Sequence, residues 1–146
     1  MEERIENALR GGEFKKLLEN QFSEIKTKYS LKVVEIRVLY YLSECGEHNT
    51  PTDIHHRLKL NRGHVSQAIL SLCNKDYITA VPDREDHRSM HYFVSDQVRD
   101  IIRDVTAVRQ KLDEELFYGV SQEEMEVYNQ VVGKIGGNIR RMMKES

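Results

Sequence analysis

Arg62, Gly63, His64, Ser66 and Gln67 lie close together in a segment that otherwise reads as a helix. Their side chains carry the groups that read base edges in duplex DNA: glutamine pairs bidentately with adenine, arginine with guanine, and serine with several partners. Val65, Ala68, Ile69 and Leu72 recur at helical spacing on the other side, which turns the polar set outward. Gly63 costs helix propensity, about 1 kcal/mol relative to alanine, and is easier to explain as room for close approach to a duplex. Thr52 and Arg57 upstream are candidates for phosphate contact; in a later polar stretch Arg84 is a candidate for minor-groove insertion or phosphate contact, and Arg88 for DNA contact. An ordinary solvated helix face is the competing reading of each residue, and the surrounding elements decide against it.

Other chemistry is poorly supported. All six histidines (His48, His55, His56, His64, His87, His91) fall in the middle third of the chain. His55 and His56 are neighbours that point to different faces of one helix, and the four-residue spacing of His87 and His91 does not converge in a hairpin. No metal is expected, and titration near neutral pH is the better use of these side chains. Cys45 and Cys73 form no Cys-x-x-Cys pair and read as small core residues, not redox switches. There is no Gly-x-Ser-x-Gly, phosphate loop, His-Glu-x-x-His or dinucleotide fingerprint, so an enzyme is not expected and no cofactor is implied.

The elements that must position the polar set are legible around it. Leu31 to Cys45 carries Val34, Val38, Leu39 and Leu42 on one face. Thr50-Pro51-Thr52-Asp53 reads as a helix start, with Thr50 as cap, Pro51 in the first turn and Asp53 completing a capping box. Asn61 is the next cap, opening a helix from Arg62 to about Lys75. A short helix, a tight turn and a second helix with a polar outer face form a helix-turn-helix pattern. Ile78–Val81 and Met90–Val94 then read as paired strands joined by the polar stretch Pro82–Ser89. A helix-turn-helix followed by a charged hairpin is a winged helix, whose helix suits a major groove and whose wing reaches backbone or minor groove.

The flanks are helical. Glu13 to Lys28 spaces Phe14, Leu18, Phe22 and Ile25 as one helix after a break at Gly11-Gly12. Gln97 to Phe117 carries Val98, Ile101, Ile102, Val105, Val108, Leu112 and Leu116, with Ser95 as cap and Gly119 as stop. Ser121-Gln122-Glu123-Glu124 opens a last helix with a capping box. Its stripe of Met125, Tyr128, Val132, Ile135, Ile139 and Met142 suits a coiled-coil-like seam. Gly133, Gly136 and Gly137 suggest close backbone approach or a local break. A self-contained helical core is one reading of these flanks. A dimerisation lobe burying the stripes against a second copy is the favoured one.

With 146 residues, the chain has the size of one domain. Its 32% charged residues and the lack of any apolar run of about 18 residues exclude a membrane span. The start, Met1-Glu2-Glu3-Arg4, leads into no apolar signal segment, so a cytoplasmic location is expected. The formal net charge is −2, yet residues 48–95 hold six Lys/Arg against five acids, a local excess of one.

Three stretches resemble the MarR family of bacterial transcription regulators. Leu31-Lys32-Val33-Val34-Glu35-Ile36-Arg37-Val38-Leu39-Tyr40-Tyr41-Leu42 resembles the family's second helix. Leu60 through Ile69, with Leu72, Lys75 and Ile78, resembles its recognition helix and exit strand. Asp83-Arg84-Glu85-Asp86-His87-Arg88, followed by Val94-Ser95-Asp96, resembles its wing, with the Asp-x-Arg of Asp86 and Arg88 as the most specific match. Asp76 stands where the family usually has glycine, Gln67 where a basic residue is common, and Glu85 at a wing position usually basic. Zinc-sensing relatives draw ligands from the helix after the wing, which here has neither histidine nor cysteine.

The resemblance implies a mainly α fold with a small β-hairpin wing: a winged helix-turn-helix flanked by N- and C-terminal dimerisation helices. Residues 31–96 would be the DNA-binding module, with 1–30 and 97–146 as dimerisation helices of one domain, 1–146. It implies a homodimeric, sequence-specific regulator, most simply a repressor, on double-stranded promoter DNA with an inverted-repeat operator. Asp86 and Arg88 are expected to brace the wing by a charge-assisted pair. A small, often phenolic or amphipathic, effector is expected near Phe22, Tyr29, Tyr40 and Arg109. A winged helix used only for protein contacts, as an adaptor without specific DNA binding, is the alternative.

Overall fold

The computed structural model describes residues 12–145; Gly11, of the break expected at Gly11-Gly12, lies outside them. The chain divides into two compact units, one up to Gln110 and one from Lys111.

The first unit opens with α1 (Gly12–Gln21) and α2 (Ser23–Tyr29). The single helix expected over Glu13–Lys28 is thus two, parted at Phe22, whose backbone sits at φ −96°, ψ 6°. Ser23 explains the interruption locally: its hydroxyl donates to the Asn20 carbonyl at 2.9 Å, competing with the helix's own hydrogen bonding. Phe22 and Ile25 are buried, Leu18 packs against the same core, and Phe14 is exposed.

α3 (Val33–Glu44) buries Ile36, Val38, Leu39 and Leu42, with Val34 only half-buried. α4 (Pro51–Leu58) begins at the expected box: Thr50 Oγ1 accepts from the Asp53 amide at 3.2 Å, and the Asp53 carboxylate accepts from the Thr50 amide at 3.2 Å. Ile54 is its fully buried anchor, and Ile54→Ala would cost about 2–5 kcal/mol through lost transfer and the cavity left behind. Lys59, at φ +54°, turns the chain out of α4. Asn61 then caps α5 (Arg62–Asn74) by accepting from the His64 amide at 2.7 Å.

α5 ends in a left-handed turn at Asp76, φ +59°, with the Tyr77 amide donating to Leu72 O and the Asp76 amide to Cys73 O. This is the helix-ending arrangement that normally uses glycine at that position. Strand β1 (Ile78–Pro82) pairs antiparallel with β2 (Met90–Val94), placing Ile78 opposite Val94 and Val81 opposite His91. Ser95 does not cap the following helix as expected. Its hydroxyl instead donates to Asp76 O at 2.8 Å, which ties the strand exit to the end of α5. After a single 3-10 turn (Asp96–Val98), α6 (Arg99–Leu116) sends Ile101 and Val105 into the same core.

The second unit contains α7 (Gln122–Glu145). Gly119, at φ +81°, stops the preceding helix. The Ser121 hydroxyl and the Glu124 carboxylate then cap α7 reciprocally at 3.1 and 3.0 Å. No break forms at Gly133, Gly136 or Gly137: the helix runs through all three. None of the residues of α7 is buried, and Tyr128, Val132, Ile135, Ile139 and Met142 are all exposed. Among the described residues, no helix is long and apolar enough to cross a membrane.

Candidate nucleic-acid interface

The outer face of α5 collects the polar set. Arg62, Gly63, His64, Ser66 and Gln67 are exposed, while Val65, Ala68, Ile69 and Leu72 are buried beneath them. A Cβ placed at Gly63 would meet only Asn61 Oδ1, at 3.4 Å, so nothing inside the fold demands glycine there. Leu70, 63% exposed, shares this outward side and was not singled out from the sequence, where only the polar residues of this face were weighed. Thr52 is exposed in the first turn of α4.

The wing is held by its own short turn network. The Asp83 carboxylate accepts from the amides of Glu85 and Asp86 at 3.1 and 3.0 Å, and from His91 Nε2 at 2.8 Å. These bonds, led by the Asp86 amide, hold the Asp83 carboxyl down at about 2. The other ring nitrogen of His91, Nδ1, lies within hydrogen-bonding distance of Oδ1 of Asn49, a residue only 2% exposed. The Tyr92 amide donates to Asn49 O, so one residue just before α4 anchors both strand and wing.

The expected charge-assisted pair between Asp86 and Arg88 is not formed. Asp86 Oδ1 accepts the Arg88 backbone amide at 3.1 Å, and no ion pair joins the two side chains among the described residues. Two positions along a turn favour this local side chain-to-backbone bond, and both Arg88 and Arg84 are exposed.

Helices α3 and α5 meet at Glu35, a carboxylate only 4% exposed that sequence reasoning did not single out. It accepts from the Lys32 amide at 2.9 Å and from the Ser71 hydroxyl at 2.6 Å, and lies 3.6 Å from Lys75 Nζ. Lys75 Nζ also donates to Ser30 O at 2.7 Å. A shallow cleft of about 250 Å³ above this carboxylate is walled in part by Lys32, His64, Gln67 and Ser71.

A family model described as transcriptional regulator SarA/Rot matches residues 20–105 of the chain. The chain belongs to this SarA/Rot family. It is therefore a DNA-binding winged-helix regulator at the level of its family, a class of proteins that are not enzymes. Structural relatives are MarR-family regulators, which agrees with the resemblance read from the sequence. A MarR protein from Peptoclostridium difficile superposes with a TM-score of 0.76 at 18% identity, over 93% of this chain and 89% of that one. Streptococcus pneumoniae FabT in complex with DNA gives 0.70 at 19% identity, over 97% and 99% of the two chains. Staphylococcus aureus MarR in complex with salicylate and kanamycin gives 0.67 at 19% identity, over 88% and 83%. A search of curated proteins finds no match.

This SarA/Rot chain separates the four residues expected around an effector. Phe22 is 4% exposed within the core, and the Tyr29 hydroxyl donates to Asp104 Oδ2 at 2.6 Å; neither lines the cleft that takes in Tyr40 and Arg109. That cleft, about 410 Å³, is also walled by Arg37, Tyr41, Glu44 and Arg57. The Arg109 guanidinium lies 4.2 Å from the centroid of the Tyr40 ring, and the Tyr40 hydroxyl donates to Glu44 at 2.9 Å. Desolvation, with Arg109 nearby, pulls the Arg37 pKa down from its ordinary value, and Arg37 Nη2 donates to Leu58 O at 3.1 Å. Arg57 thus faces this cleft as well as solvent. Burial pushes the Cys45 and Cys73 thiols up, which disfavours the reactive thiolate. No group of histidine, cysteine or acidic residues among the described residues has the geometry to hold a metal ion.

Proposed function

We propose that this protein is a homodimeric, ligand-responsive repressor that occupies an inverted-repeat operator. The observation that carries the reading is the exposed polar face of α5 in a winged helix whose wing exposes Arg84 and Arg88, in a chain of the SarA/Rot family. Arg62, His64, Ser66 and Gln67 would contact base edges, with Gly63 allowing the helix to approach. Thr52, Arg57, Arg84 and Arg88 would hold phosphate, which positions the helix without reading sequence. FabT, similar over nearly the whole chain, was captured in complex with DNA, which supports the same use of this fold here.

The dimer rests on α7. An apolar stripe on a helix with no buried residue is unstable in water as a lone surface, and a second copy related by a two-fold covers it with the same residues. Two modules related in this way read half-sites about one turn, roughly 10 bp, apart. The cleft at Tyr40 and Arg109 is the proposed effector site, where three arginines against one carboxylate, Glu44, and the rings of Tyr40 and Tyr41 suit a small aromatic anion. A MarR relative in complex with salicylate supports that chemistry.

The test is selection of bound duplexes from a random pool, then fluorescence anisotropy on the selected and scrambled duplexes across a salt series. A selected duplex bound more tightly, with affinity falling steeply as salt rises, is the expected result. Equal, weak and salt-insensitive binding of both would overturn the reading and favour a protein-contact adaptor.

A further inference from the structure

Glu35 is a buried carboxylate in a module whose other acids sit largely at the surface. Its side chain is 5% exposed, and its bonding partners come from both ends of the problem of aiming a helix. The Lys32 amide belongs to the start of α3, while Ser71 and Lys75 belong to α5 and its exit. Ser71 follows Gln67 by four residues and His64 by seven, so all three lie along one stripe of α5. That stripe walls the small cleft above the carboxylate. A bond at Ser71 therefore sets the rotation of the helix about its own axis, and with it the direction in which His64 and Gln67 point.

The chemistry matches that task better than simple stability does. A buried carboxylate bears a desolvation cost that apolar packing at the same place would avoid, and a fixed geometry is its best-attested return. Apolar packing elsewhere on the two helices, where Val38, Leu39, Val65 and Leu72 are buried in the common core, has no direction of its own. Hydrogen bonds are directional, and the short 2.6 Å bond from Ser71 to a charged acceptor is the strong kind.

We infer that Glu35 is a positioning residue for sequence readout: through Ser71 it holds α5 in the one rotation that presents His64 and Gln67 to base edges. This rests on the proposed DNA reading by α5. The consequence is a separation of two properties. Non-specific affinity depends on exposed Lys and Arg and should survive loss of the clamp. Discrimination between sequences depends on side-chain direction and should not.

The experiment uses the full chain with Glu35→Gln, Ser71→Ala and Ser71→Thr, each well below its thermal midpoint. Anisotropy is read on the wild-type-selected duplex and on its scrambled counterpart. Ser71→Ala and Glu35→Gln should each lower the ratio of selected to scrambled affinity about tenfold, at the scale of one mismatched base pair. Scrambled-duplex affinity and its salt slope should stay unchanged, and Ser71→Thr, which keeps the hydroxyl, should restore the ratio. The double variant should lose no more than Glu35→Gln alone, because both remove one interaction. If Glu35→Gln does not fold, Ser71→Ala and Ser71→Thr still decide the question. A ratio within twofold of wild type in Ser71→Ala, or equal loss on both duplexes, overturns the inference. A wild type that does not discriminate at all overturns the DNA reading itself, and the inference with it.

Discussion

His91→Ala should uncouple the wing from the body of the module, and its cost follows from two bonds. The imidazole bridges Asn49 Oδ1 on one side and Asp83 Oδ1, at 2.8 Å, on the other. Asn49 is 2% exposed, so removing the ring strands its side-chain oxygen where water has poor access. An unpaired buried acceptor of that kind costs about 1–3 kcal/mol, or roughly 3–10 °C in Tm for a chain of this size. Asn49→Ala should cost less in the His91→Ala background than alone, since the partner is already gone.

Asp83 supplies the pH dependence of the same change. Its carboxyl is held at about 2, below its ordinary 3.8, so it contributes stability above the unfolded value that drains away as pH falls toward 2. The variant keeps the Glu85 and Asp86 amides on Asp83. Its carboxyl should therefore rise without reaching the ordinary value, and the stability gap between the two proteins should narrow as pH falls from about 4 toward 2. Urea unfolding across pH gives the gap, and carboxyl NMR shifts give the Asp83 midpoint. A variant within about 0.5 kcal/mol of wild type at neutral pH, the scale of an ordinary surface substitution, with an unmoved Asp83 midpoint, would refute the bridge.

Ile135→Asp places a charge in the exposed stripe of α7 and should give unfolded, aggregated or monomeric protein by light scattering, where wild type at micromolar concentration should run as a dimer. Gln67→Ala should cost about 1–3 kcal/mol on the selected duplex and relax preference at one base pair, read by anisotropy. Arg84→Ala should instead weaken all duplexes evenly and flatten the salt dependence. Asp76→Gly should raise stability by about 1 kcal/mol in urea melts, because φ +59° strains a side chain-bearing residue and suits glycine.

Much of the module was determined locally and could be read from the chain. Thr50 and Asp53, Asn61, and Ser121 with Glu124 cap their helices through bonds spanning three residues, so spacing alone reveals them. The same holds for the buried side of α5, whose helical spacing is imposed by one apolar face. Asp76 was marked as the residue standing in for glycine, and it takes the left-handed conformation that position requires.

What only the tertiary structure decided involves partners far apart in sequence or choices between equally available ones. Glu35 meets Ser71 across 36 positions and His91 meets Asn49 across 42, and no pattern within either segment announces such a pair. Ser95 had a helix start to cap and an Asp76 carbonyl to bind, and packing brought the carbonyl within reach. Asp86 could pair with the Arg88 side chain or its amide; the amide was nearer and already fixed by the turn. Of the four residues expected to surround an effector, chain spacing could not separate core from cleft. Phe22 is buried in the core and Tyr29 bonds to Asp104, while Tyr40 and Arg109 stack at a shared cleft because α3 and α6 pack on one core. Capping and amphipathic order act over one or two turns and are written in the chain; the aim of a recognition helix and the anchoring of a wing are set by side chains that meet only once the core has closed.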